Sequence, residues 1–69
     1  SAKGSAATCM FSIASSVAKE SGEAIAALVA AAGSLDDTTR RAAVKEGEEA
    51  IAALTHAMAA LARLPVEAA

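Results

Sequence analysis

The residues able to do chemistry are few and scattered. The chain of 69 residues holds one cysteine, Cys9, and one histidine, His56. A reactive thiol needs a cationic or helix-N-terminal setting. Cys9 sits next to Met10 and Phe11 near the start of a helical pattern, so a first-turn position is one reading that would favour a reactive thiol. The stronger expectation is a small buried hydrophobe, since free cysteine usually behaves that way; a symmetric intermolecular disulfide in an oxidising compartment is the third reading. His56 shares a helical face with Lys45, Glu49 and Arg63, which predicts a solvated side chain. A Cys9–His56 nucleophile–base pair would require the two helix ends to meet. It would still lack an orienting third group and an oxyanion hole. Glu46, Glu48 and Glu49 cluster beside Lys45, but a bundle metal site needs inward carboxylates and these are expected to face outward. There is no glycine-rich phosphate loop and no Cys-x-x-Cys. Neither metal nor cofactor is expected, and the expectation is a protein that is not an enzyme.

Charge narrows the partners. Six basic against eight acidic side chains give a net charge of −2. The one adjacent basic pair, Arg40-Arg41, lies beside Asp36 and Asp37, so no nucleic-acid partner is expected. The composition is 55% apolar, which raises the question of membrane insertion. The uncharged runs Gly4–Ala18, Ala24–Leu35 and Ala50–Ala62 span 15, 12 and 13 residues. Each falls short of the roughly 20 that a bilayer requires, so a spanning helix is not expected. A secretory signal needs a basic start, an apolar run and a cleavage pattern in that order, and none is read here. A start without Met is what a processed chain or a fragment would show.

The elements that must position these residues are helical. Alanine fills 22 of 69 positions, Trp and Tyr are absent, and Phe11 is the single aromatic. Gly33-Ser34-Leu35-Asp36-Asp37 punctuates the chain. Gly33 suits the left-handed position past a helix end, and Ser34 with Asp37 resembles a capping box. Pro65 disfavours helix in the residue before it. The expected fold is all-α: an antiparallel αα-hairpin in one alanine-rich domain. Helix A covers about 6–32, a turn 33–35, helix B about 35–64 and a tail 65–69. Lys19-Glu20-Ser21-Gly22 interrupts helix A, yet no proline intervenes and Lys19 can pair with Glu23, so one continuous helix is expected. Asp36–Arg40 and Asp37–Arg41 are further favourable i,i+4 pairs. Lys19-Glu20 and Glu23–Leu28 recur as Lys45-Glu46 and Glu49–Leu54, twenty-six residues on. A duplicated unit is one reading; the favoured one is the shared pattern of any alanine-rich amphipathic helix.

The apolar stripes set the functional expectation. Helix B carries Val44, Gly47, Ile51, Leu54, Met58 and Leu61 on one face, close to an a/d seam. The hairpin core is expected on Leu35, Val44, Ile51, Leu54, Met58 and Leu61. Helix A carries two stripes. One runs through Met10, Ile13, Ala14, Val17, Ala24, Leu28, Ala31 and Leu35; the other steps by sevens through Phe11, Ala18, Ile25 and Ala32. A single partner helix cannot cover both. Met10, Phe11, Ile13, Val17, Ala18, Ile25, Leu28 and Val29 are therefore the expected contact residues, and a larger helical bundle built by oligomerisation is the expected assembly. In organisation this resembles small hairpin proteins that dimerise into four-helix bundles and, more loosely, the hairpin subunits of secretion needles, with no shared motif. The leading expectation is a structural, self-assembling homo-oligomer. A helical adaptor presenting helix A to another helical protein is the second, and a membrane-active hairpin the third.

Overall fold

The structure, a computed structural model, describes residues 2–65, with side chains from 6 onward. It is an all-α hairpin of two long helices, α1 (Ala2–Ala32) and α2 (Asp37–Ala62), packed along their length. The hairpin is a rod of 55 × 16 × 15 Å. α1 passes through Lys19-Glu20-Ser21-Gly22 without a break. Its alanines favour helix, no proline interrupts them, and the roughly 1 kcal/mol cost of Gly22 is spread against thirty other residues.

The turn differs from the expected chemistry at three points. Gly33 has no left-handed backbone. The Ser34 N–H donates to the Ala31 carbonyl at 3.0 Å instead, a tightened last turn that needs no positive φ. The cap of α2 is Asp36 rather than Ser34, and the helix begins at Asp37 rather than near Leu35. Asp36 has extended geometry, and its carboxylate accepts from the Thr38 and Thr39 N–H groups (3.4 and 3.2 Å) and from the Thr39 hydroxyl (2.8 Å). Those donors hold its carboxyl below the usual value, the Thr39 hydroxyl most of all. The expected Asp36–Arg40 pair therefore gives way: the Arg40 Nε donates to the Ser34 carbonyl at 3.0 Å, while Asp37–Arg41 forms at 2.8 Å. α2 stops at Ala62, two residues short of the expected end, with Arg63 as its C-cap. Of the expected tail, 66–69 lie outside the described residues.

The seam between the helices is mostly alanine toward the turn and carries larger side chains at the open end. On α1 it runs Met10, Ile13, Val17, Glu20, Ala24, Ala27 and Ala31; on α2 it runs Thr39, Ala43, Glu46, Ala50, Ala53, Ala57 and Ala60, with Leu64 just past the helix end in the same spacing. Both rows alternate steps of three and four, the repeat that keeps one stripe facing a partner helix. Among the described residues Ala31 and Ala57 are the buried hydrophobic ones, each 8% exposed. The expected hairpin core is thereby corrected: Leu35, Val44, Ile51, Leu54, Met58 and Leu61 range from 47% to 92% exposed. Alanine rows let two backbones come close, and that approach turns the larger stripe beside the seam outward.

The twenty-six-residue echo has a structural counterpart. From Phe11 to Ala32 and from Asp37 to Met58, each residue has the same degree of burial as its counterpart in the other helix. Glu20 and Glu46 are half-buried, Ala31 and Ala57 are buried, and Ile25 and Ile51 are exposed. The two helices thus turn equivalent faces to each other and to solvent.

Candidate interaction face

The large apolar side chains gather on one broad side of the rod. A groove of about 570 Å³ runs between the helices near the turn, lined by Ala24, Ile25, Leu28, Ala31 and Ala32 of α1 and by Arg40, Ala43, Val44 and Gly47 of α2. Residues seven apart on a helix point in nearly the same direction. The groove residues therefore fix the direction of whole rows. Phe11 and Ala18 continue the row of Ile25 and Ala32; Ile51 and Met58 continue the row of Val44; Leu54 and Leu61 continue that of Gly47. Phe11 is 76% exposed, and among the described residues nine further large hydrophobic side chains are exposed, seven of them in these rows. At roughly 1.5–3 kcal/mol for a fully buried large side chain against about 0.8 for one methylene-sized group, most of the chain's potential burial lies on this side. Arg40 is the one cation lining the groove, and its Nε is directed to the Ser34 carbonyl.

The opposite side is polar. Lys45, Glu49, His56 and Arg63 are exposed there, as their shared face predicts. Cys9 is exposed rather than buried, which corrects the expectation of a small hydrophobe in the core. Glu46 is corrected as well: it is half-buried and turns toward α1, not outward. Its carboxylate, with those of Glu20 and Glu23, forms a trio whose oxygens lie within 4.8 Å of one another. Glu23 thus faces two like charges in place of its expected partner Lys19. Oxygen-only carboxylate sets suit hard cations such as Ca²⁺ or Mg²⁺, which take six or more ligands, and three carboxylates supply only part of such a shell.

The expected contact residues divide between the two regions. Met10, Ile13 and Val17 are half-buried in the seam, so the hairpin itself uses them. Phe11, Ala18, Ile25, Leu28 and Val29 remain exposed on α1. The α2 stripe read as core joins them on the face. What the sequence reading missed was the side-by-side placement of the two stripes; the half-heptad alanine rows flanking each stripe carried that signal. Among the described residues, no helix is long and apolar enough to cross a membrane. Compared against known protein families, curated proteins and solved structures, the chain matches none.

Proposed function

We propose that this chain is a non-catalytic structural subunit that self-assembles, another copy covering the apolar face of each hairpin to make a helical bundle. The observation that carries the reading is the one-sidedness of the rod. Among the described residues ten large hydrophobic side chains are exposed, and the groove lined by both helices fixes the rows of eight of them, Phe11, Ile25, Leu28, Val44, Ile51, Leu54, Met58 and Leu61, on a common side. A single monomer's largest apolar patch is typically about 300–600 Å². The whole side of the rod that carries them measures 55 by 16 Å in outline, on the order of 900 Å², enough room for the ~800 Å² each partner buries in a stable interface.

A double variant tests this. Phe11→Glu with Ile25→Glu places two charges on the face and none in the seam. It is expected to stay helical by circular dichroism while light scattering reports the mass of a single chain. An unaltered oligomer in the double variant, or a wild-type chain that is monomeric at high micromolar concentration, contradicts the reading. A wild-type monomer would favour the adaptor, in which another helical protein covers the same face.

A further inference from the structure

We propose, resting on the self-association above, that two copies pair face to face about a two-fold axis perpendicular to the helices. α1 then runs antiparallel to its copy and α2 antiparallel to its copy, with Leu54 of each chain seated over Gly47 of the other. The spacing of the face carries this. Gly47 and Leu54 lie in one row, seven residues apart. Gly47 leaves an open spot: nothing lies within 4 Å of where a Cβ would stand. Reversing α2 about a point near residue 50 brings each Leu54 onto that bare spot. The same reversal sets Val44 against Met58 and leaves Ile51 beside its own mate on the axis.

α1 has its own centre of reversal. Phe11 and Leu28 exchange places about a point near residue 20, which also sets Ile25 against the small Ala14 and Ala18 against Ser21. Phe11, the largest side chain, thereby arrives at the end of the other copy that carries the groove of about 570 Å³. The two centres are level. Residue 20 lies twelve residues before the end of α1 at Ala32, and residue 50 lies thirteen after the start of α2 at Asp37. One axis therefore serves both helices, as a closed two-fold dimer requires. Pairing turn over turn would instead stack groove on groove at one end and Phe11 on the Met58–Leu61 end at the other, leaving a void and a crowd.

Spin labels at the turn test the arrangement. Leu35→Cys in a Cys9→Ser background puts one label at the tip of each hairpin, fifteen residues from the axis. At 1.5 Å per residue the antiparallel dimer separates the two labels by about 45 Å. Pairing turn over turn brings the labels to within about 20 Å, the spacing of packed helices plus the linkers. The short distance overturns the antiparallel axis while self-association stands; a monomer by sedimentation in the same sample overturns both. Gly47→Leu gives a second readout. Filling the spot is expected to weaken association about tenfold or more while the chain stays helical, and association that is unchanged or tighter contradicts the seating of Leu54.

Discussion

The seam and the face lie side by side on the same two helices and obey opposite rules. The seam uses alanine for nearly every contact near the turn, and its two buried residues, Ala31 and Ala57, bury little area each. The face holds Ile25, Leu28, Val44, Ile51 and Leu54 and buries none of them within one chain. Small residues settle which sides of two helices meet, because they permit close backbone approach. Large residues settle where the remaining driving force lies, because hydrophobic stabilisation scales with area. In this hairpin those two roles fall on neighbouring stripes, so the closest contact and the most apolar surface do not coincide.

Substitutions can break that contrast, beginning with the largest effect. Leu54→Glu is expected to abolish self-association, a change of more than about a hundredfold or ~2.7 kcal/mol, while circular dichroism of the isolated chain is unchanged. Ala57→Leu does the reverse. Overpacking the seam is expected to cost about 1–3 kcal/mol of folding stability in urea titrations at every protein concentration. Asp36→Ala removes the cap at the turn and is expected to lower the urea midpoint by less than the seam change. The acid limb follows the same group: its folded pKa lies below the unfolded one, so its contribution is present above the ordinary carboxylate pKa and lost as pH falls through the lower folded value. A midpoint that does not change between pH 6 and pH 2.5 in excess of the Asp36→Ala protein contradicts this. Glu46→Gln relieves part of the Glu20–Glu23–Glu46 repulsion and is expected to stabilise by about 0.5 kcal/mol, an increment that shrinks in 1 M salt. Arg41→Ala is the smallest, about 0.3 kcal/mol, because its pair with Asp37 is largely exposed.

Much of the hairpin is legible in the sequence. Gly33 to Asp37 marks the turn, the alanine content and absence of proline carry α1 through Gly22, and Pro65 lies just past α2. The side of each helix that meets the other is not read correctly, and the reason is energetic. Val44, Ile51, Leu54, Met58 and Leu61 form the stripe with the most area, and area normally marks a core. The competing signal was a three-and-four spacing of alanines, Ala43, Ala50, Ala53, Ala57 and Ala60, which helix propensity alone explains equally well. Glu20 and Glu46 sit in those same rows, and a charged residue in the spacing argues against a seam when only hydrophobicity is weighed. The cap shows a similar competition: Ser34 and Asp36 are both good N-caps, and Asp36 prevails by gathering three donors from Thr38 and Thr39. The exposure of Phe11, Ile25 and Val29 on α1 was legible because no single partner helix could cover two stripes, whereas Leu28 belonged to the stripe expected to meet α2.

The central claim is that a small seam holds each hairpin and that the large side chains beside it are covered by another copy. Sedimentation equilibrium of the unmodified chain across low to high micromolar concentrations addresses it most directly. A mass that rises from one chain to two or more, with Leu54→Glu fixed at one, is the predicted result. A wild-type chain that remains folded at the mass of a single hairpin throughout that range would contradict it.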